Sequence, residues 1–297
     1  MAPVRPGTLY LVATPIGNLE DVSHRALRIL REVSVIAAED TRHTRKLLTH
    51  HGITARLVSL HEHNERTRAP ALVARLLAGQ TVAVVSDAGT PGLSDPGADL
   101  VRAAADAGIP VVPVPGPSAF LAALIASGLP TAPVTFLAFL PAGRGDRRRC
   151  LEGVRALPHT LVLYESPHRL LATLRALREI LGDRRAAVAR ELTKMHEEVY
   201  RGRLHEALEH FSAHPPRGEF TLVIEGAAAG EAAGAAGART PEEAAALAQE
   251  SARAALRAAL ANHDAPFEAV RRAAHASGLR RNEVYRLWLA MKQEDTP

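Results

Sequence analysis

A chain of 297 residues, 47% hydrophobic and 23% charged, has the size for two cores and the balance of an ordinary globular protein. It holds no apolar run of membrane-spanning length and one cysteine, Cys150, which excludes membrane-spanning and disulfide-built classes and fits a reducing compartment. Of its 36 Lys and Arg, only Lys46, Lys194 and Lys292 are lysines, and the net charge is +4. Arginine grips phosphates in a bidentate fork, which permits a nucleic-acid partner; a codon preference for Arg and Ala accounts equally for the excess. The opening "MAPVRPGTLY" lacks the apolar core of a signal peptide, so the cytoplasm is expected.

From Thr8 to about Ala227, short β-rich runs alternate with amphipathic segments. "TLYLVAT" reads as a strand, "SHRALRILRE" as a helix capped by Ser23, and "VSVIAAED" as a strand. Helix "TRKLLTHH", strand "RLVSLH", helix "APALVARLLA" and strand "TVAVVS" follow. "IPVVPVPG" closes this half, and "PSAFLAALIASG" starts a helix with Pro117 near its first turn. The second half runs strand "VTFLAFL", helix "DRRRCLEGVRAL", strand "HTLVLYES", helix "HRLLATLRALREILG" and strand "RAAVARELT", with "EFTLVIEG" as its last clear strand. Such alternation predicts a mostly parallel sheet covered on both faces. The expected organisation is an α/β domain over 1–117, a second over 118–226, a Gly/Ala-rich linker over 227–239 and a helical appendage over 240–297.

Ligands of an open parallel sheet lie beyond the carboxyl ends of its strands. Three turns fall there, "ATPIGNLED", "SDAGTPGLSDPG" and "PGPSA", each bringing Gly or Pro to a strand end. None has G-x-G-x-x-G spacing, a Gly-Lys-Ser/Thr phosphate loop or a nucleophile elbow. The turns therefore suit a small neutral or zwitterionic cofactor held by backbone groups, with Asp87 offering a carboxylate. Asp95 reads instead as a cap of the next helix, ahead of Pro96.

Together, "LYLVATPIGNLEDVSHRALRIL", "AAEDTRHTRKLL", "SDAGTPGLSDPG", "PVPGPSA", "LPAGRGDRRR" and "LYESPHRLLATL" resemble, in order, the ribosomal RNA small subunit methyltransferase I family. The resemblance implies the tetrapyrrole-methylase fold: two α/β domains with the cofactor cleft between them, here with a small C-terminal helical domain. It also implies an S-adenosylmethionine-dependent enzyme that methylates the ribose 2′-hydroxyl of a cytidine in small-subunit (16S) ribosomal RNA, as a homodimer. By the same resemblance Asp87, Ala88, Gly89 and Thr90 wrap the methionine moiety, Ser118 and Ala119 add contacts, Pro15 lies over the cofactor, and Glu165 and Thr221 reach it from the second domain. The family's basic loop is matched with departures at Ala142 and Asp146.

Deprotonating a ribose hydroxyl calls for a positioned base or a field of cations. Glu39, Asp40, Glu191 and Lys194 are candidates, and Glu165, His168 and Arg169 of "YESPHR" are the set favoured for catalysis. Glu191 with Lys194 reads more simply as a surface ion pair, and His168 equally as a helix cap. Arg144, Arg147, Arg148 and Arg149 form the densest positive run, read as a phosphate clamp on RNA over a merely solvated helix entry. His61 and His63 share a strand face without a third ligand, which points away from a metal site, and Cys150 reads as a packed helix residue. In "SGLRRNEVYRLWLAMK", Leu279, Val284, Leu287 and Met291 form one face with Arg280, Arg281 and Arg286 outside, suiting RNA docking or plain helix packing alike. The competing readings are a tetrapyrrole or other small-molecule methyltransferase of the same fold, and a non-catalytic ribosome assembly factor.

Overall fold

The computed structural model describes residues 3–227, 241–261, 266–277 and 281–294. Two compact units divide the chain, Met1–Ala228 and Ala229–Pro297. The first contains two sheets. Strands β1 (Leu9–Val12), β2 (Val35–Ala38), β3 (Leu57–Ser59), β4 (Val82–Val85) and β5 (Val111–Val114) form an all-parallel sheet in the order β3-β2-β4-β1-β5. Its covering helices are α1 (His24–Glu32), α2 (Thr41–His50), α3 (Glu65–Leu77) and α4 (Ala98–Asp106).

Strand parity distributes this sheet's side chains. Tyr10, Val12, Ile36, Ala38, Ala83 and Val85 pack with Ile29, Leu30 and Leu48 on one face. Their neighbours Leu9, Val35, Ala37, Val82 and Val84 pack with Leu72, Leu76 and Leu100 on the other. Because successive side chains alternate sides, both faces need apolar residues, and β2 and β4 are buried throughout.

The second sheet joins β6 (Val134–Phe139), β7 (Thr160–Glu165), β8 (Arg185–Arg190), β9 (Glu198–Arg203) and β10 (Phe220–Ile224) in the order β6-β7-β10-β8-β9. Only β6 and β7 run parallel; every other pair is antiparallel. The expectation of mostly parallel pairing therefore fails here. β10 arrives from α8 (Leu204–Ala213) and inserts between β7 and β8 against both. One face packs Leu161, Leu163, Val188, Leu222 and Ile224 onto Leu151 of α6 (Arg144–Val154), Leu174 and Leu177 of α7 (Leu170–Leu181), and Phe211 of α8. The opposite face packs Val162, Ala187, Ala189 and Val223 against Ala123 and Leu124 of the single short helix α5 (Ala119–Ala126).

Several local details follow from single residues. Ser23 caps α1 as expected, accepting the Ala26 N–H at 3.0 Å. Helix α3 begins at Glu65, well before "APALVARLLA", and keeps Pro70 inside it. Asp95 does not cap α4: the cap position is Gly97, at φ +126°, and buried Glu65 does the work, its Oε1 accepting the N–H groups of Gly97 and Leu100 at 3.0 Å each. Strand β9 and helix α8 were not among the expected elements.

In the second unit, α9 (Pro241–Ala261), α10 (Pro266–Ser277) and α11 (Arg281–Glu294) share a core of Leu256, Val270, Val284, Trp288 and Met291, with Leu287 packed against it. Past Ala227 the expected linker, and likewise Leu279 and Arg280, lie outside the described residues. Arg286 is exposed. Among the described residues no helix is long and apolar enough to cross a membrane.

Candidate functional site

The two sheets of the first unit meet at a cleft of about 290 Å³. The parallel sheet contributes the turns after β1, β4 and β5. The mixed sheet contributes the carboxyl ends of β6 and β7 and the start of β10, which antiparallel pairing sets beside the end of β7, with Thr221 opposite Tyr164.

The turns after β1 and β4 are fastened to each other. Thr14 donates its N–H to Gly89 O at 2.8 Å and accepts from Gly89 N at 3.0 Å, while its hydroxyl donates to Ser86 O at 3.1 Å. Gly89 sits at φ +75°, where a side chain is strained, and a Cβ there would lie 3.5 Å from Ile16 Cγ2. The third turn comes equally close: a Cβ on Gly116 would lie 2.9 Å from Ala13 Cβ. Ser118 occupies the cap position of α5, yet its hydroxyl makes no capping bond.

Of the residues expected to hold a cofactor, Ala88, Gly89, Thr90, Ser118, Ala119, Glu165 and Thr221 line the cleft. Pro15 and Asp87 do not. In the turn after β1 it is Ile16, not Pro15, that lines the wall. Asp87 turns away from the cleft, with Oδ1 accepting the Asp40 N–H at 3.0 Å and its own N–H donating to Glu39 Oε2 at 3.2 Å. Asp40 caps α2, and hydrogen bonds from the Arg42 side chain and backbone bring its carboxyl down to about 2.

Glu165 is 2% exposed and its carboxylate is fully engaged. Oε1 accepts the Ser166 N–H at 2.8 Å, Oε2 accepts the Thr173 hydroxyl at 2.6 Å, and Arg169 Nε lies 3.4 Å away. Arg169 in turn donates Nη2 to Leu140 O at 2.5 Å, tying the start of α7 to the end of β6. His168 is exposed and neither it nor Arg169 lines the cleft. The "YESPHR" segment is thus a locked turn whose Glu165 forms part of the cleft floor.

Lys194 makes the ion pair expected of it, 2.8 Å to Glu191 Oε1, and a second one, 2.9 Å to Glu219 Oε2. Against burial, Lys194 and the Glu219 N–H hold the Glu191 carboxyl below its ordinary range. The Lys194 stem lies against Gly17, where a Cβ would meet its Cγ at 2.3 Å, so this ion-paired turn braces the two halves.

Three cleft residues carry no earlier expectation of function. Asp95 faces the cavity, and burial pushes its carboxyl up to about 6, aided by the nearby charges of Glu39 and Asp87 and opposed by a hydrogen bond with Ser86. Across from it, burial raises the Tyr164 phenol, with the Asp95 charge adding and a Phe120 backbone hydrogen bond opposing. Phe139, its ring tilted against Tyr164 at 5.6 Å between centroids, completes an aromatic wall and remains 52% exposed. The signal for these residues was their place at strand ends; their mutual approach depends on both sheets.

The walls fit a small organic group held by backbone donors and apolar faces, and lack a concentrated positive charge for a phosphate. Among the described residues no group of three or more His, Cys, Asp or Glu assembles as a metal site. His61 and His63 do not share a strand face: β3 ends at Ser59 and they lie in the turn after it, ring to ring at 6.0 Å. Cys150 is half-buried against the second core.

The sequence matches the family model of the tetrapyrrole (corrin/porphyrin) methylases over residues 8–208. A protein of Synechocystis sp. named ribosomal RNA small subunit methyltransferase I is 46% identical, covering 97% of this chain and 99% of that one. One of the same name from Halalkalibacterium halodurans is 53% identical over 74% of this chain and 76% of its own. Among solved structures, uroporphyrin-III C-methyltransferase of Thermus thermophilus, crystallised with S-adenosylhomocysteine, superposes with a TM-score of 0.51 at 21% identity, over 73% of this chain and 96% of that one.

Proposed function

This chain belongs to the ribosomal RNA small subunit methyltransferase I family, within the tetrapyrrole (corrin/porphyrin) methylases, and from that premise we propose that it methylates the ribose 2′-hydroxyl of a cytidine in small-subunit (16S) ribosomal RNA. The observation that carries the reading is the cleft itself. It is walled by backbone turns and apolar side chains in the part of the chain that matches relatives named for ribosomal RNA methylation.

S-adenosylmethionine is the methyl donor, and when bound it supplies an electrophilic methyl on a positively charged sulfur. Ala88, Gly89 and Thr90 would hold it through the backbone, Ser118 and Thr221 through hydroxyls, and Ile16, Phe139 and Phe220 through apolar contact. An apolar wall favours loss of charge at that centre and keeps water out. Glu165 and Arg169 set the turn that closes the floor, acting as positioning residues. Asp95, whose raised proton affinity lies nearer neutrality than an ordinary carboxylate, is the cleft group suited to accept the ribose proton. His168 lies outside this arrangement.

Helix α6, which carries Arg144, Arg147, Arg148 and Arg149, is the proposed side for contact with the RNA backbone. The homodimer belongs to the same proposal, supported by α5, which shields one face of the second sheet while leaving Leu121 53% and Ile125 74% exposed. Ile125→Asp should shift sedimentation toward the monomer; an unchanged sedimentation coefficient places the dimer contact elsewhere.

The experiment for the activity uses labelled S-adenosylmethionine with unmethylated small ribosomal subunits or with a tetrapyrrole precursor. Label recovered as 2′-O-methylcytidine supports the proposal. Label on a base, or in the tetrapyrrole alone, overturns it, and RNA binding without transfer points to an assembly factor.

A further inference from the structure

The four arginines of α6 are not equivalent. Arg149 pairs with Asp146 one turn earlier. Arg148 is held twice, Nε by Glu152 at 2.8 Å on its own helix and Nη1 by Glu179 of α7 at 2.9 Å. These carboxylates raise the Arg148 pKa and neutralise its charge locally, so Arg148 works as a staple between α6 and α7.

Arg144 and Arg147 have no acidic partner among the described residues, and neither has Arg175 of α7. All three line a groove of about 240 Å³ between the two helices. The spacing explains why they converge. Arg144 and Arg147 stand one turn apart on α6, while Ala172, Arg175, Ala176 and Glu179 form the facing stripe of α7. The two alanines leave the groove floor open. Within it Arg147 Nε is sealed from solvent with no hydrogen-bond acceptor, which is costly for a charged donor. An oxyanion in the groove would stand among the guanidinium groups of Arg144, Arg147 and Arg175 and would offset their unpaired charge.

The groove and the cleft share no lining residue, but the chain links them. β6 ends at Phe139 and β7 at Glu165, both cleft residues, and α6 and α7 follow directly. A strand whose ribose enters the cleft would carry a neighbouring phosphate past the start of these helices.

We infer that Arg144, Arg147 and Arg175 form a phosphodiester-binding site in the α6–α7 groove, with Arg148 holding the groove together and Arg149 outside the contact. This rests on the proposed RNA methyltransferase reading, refines its basic run and adds Arg175, on a different helix from that run.

The test is the salt dependence of binding to unmodified small-subunit ribosomal RNA transcribed in vitro, with S-adenosylmethionine affinity measured by calorimetry as a check of the fold. Arg144→Gln/Arg147→Gln/Arg175→Gln should bind about 10- to 100-fold more weakly at 0.15 M salt and flatten the log K against log salt slope by about 2. Arg175→Gln alone should flatten it by about 0.7, and Arg149→Gln should leave it unchanged. If Arg149→Gln flattens the slope as much as Arg175→Gln, or the triple variant keeps the native slope, the assignment is overturned. Failure of this site with methylation of the RNA intact leaves the activity standing. A native protein that binds the cofactor but neither binds nor methylates the RNA overturns both.

Discussion

The two sheets of the first unit reach one cleft by different routes. The parallel sheet sends the carboxyl ends of β1, β4 and β5 to a common edge, because parallel strands place all such ends together. What arrives is mainly backbone: Gly89 at φ +75°, Gly116 close against Ala13, and the short side chains around them. The mixed sheet brings carboxyl ends from β6 and β7 alone, and its third contribution is the beginning of β10. What arrives there is side chain: Phe139, Tyr164, Glu165 and Thr221. The lesson is a division of labour. One half offers shape and backbone hydrogen bonds, and the other offers a rigid wall whose groups are held from behind.

The firmest way to break that contrast is to release the wall. Glu165→Ala takes the ion-pair partner from Arg169 and removes the acceptor of three hydrogen bonds, one from the Ser166 N–H and one each from the Ser166 and Thr173 hydroxyls, so stability should fall by about 3 kcal/mol in denaturant unfolding. A loss of activity with native stability would instead make Glu165 a reacting group. On the shape side, Gly89→Val forces a β-branched residue to positive φ against Ile16, and S-adenosylmethionine affinity should drop about 100-fold, roughly 2.7 kcal/mol, by calorimetry. Unchanged affinity would remove this turn from the cofactor contact.

A smaller effect tests what supports the parallel half. Glu65→Ala takes both acceptor bonds from the start of α4 and should cost about 1–2 kcal/mol, with faster amide exchange at Gly97 and Leu100. Equal exchange in the variant would show that water replaces the carboxylate freely.

The smallest effect is a pH dependence. The folded state raises Asp95 to about 6 from 3.8, so it binds the proton more tightly than the unfolded chain. Native stability from this group is therefore full below about pH 4 and is lost as the pH rises through about 6. Asp95→Asn should match the native protein near pH 4 and gain a few °C in Tm by pH 8, partial exposure reducing the full linkage. A constant difference across that range would place the carboxylate in a solvated position.

Much of this architecture was legible along the chain. The runs "TLYLVAT", "VSVIAAED" and "TVAVVS" are continuous apolar segments, the pattern of strands buried on both faces, and they became β1, β2 and β4. Strand β9 escaped because "EVYRGR" is an edge strand with charged ends and only Val199 and Tyr200 apolar. The antiparallel entry of β10 escaped with it, since direction depends on what connects β8 to β10. In the site, glycine-rich turns announced themselves, as glycine most readily takes the positive φ of positions 89, 92 and 97, although Ser94 also adopts it. Asp95 did not, because its burial depends on both sheets and the charge of Glu39 comes from a segment distant in sequence, although Asp87 lies in the same turn. Ile16 did not either, because which side chain of the turn after β1 faces the cleft depends on the fold and not on the local pattern.

The paired hydrogen bonds between Thr14 and Gly89 carry a kinetic meaning as well. Two loops joined at 2.8 and 3.0 Å open as one rather than in turn, so the pocket mouth is already assembled before any ligand arrives. Ordering a free backbone residue costs about 1–2 kcal/mol, and here that cost is met during folding instead of at the encounter. Uptake at this mouth should accordingly follow a single exponential whose rate grows linearly with ligand concentration, without the plateau that a slow closing step imposes.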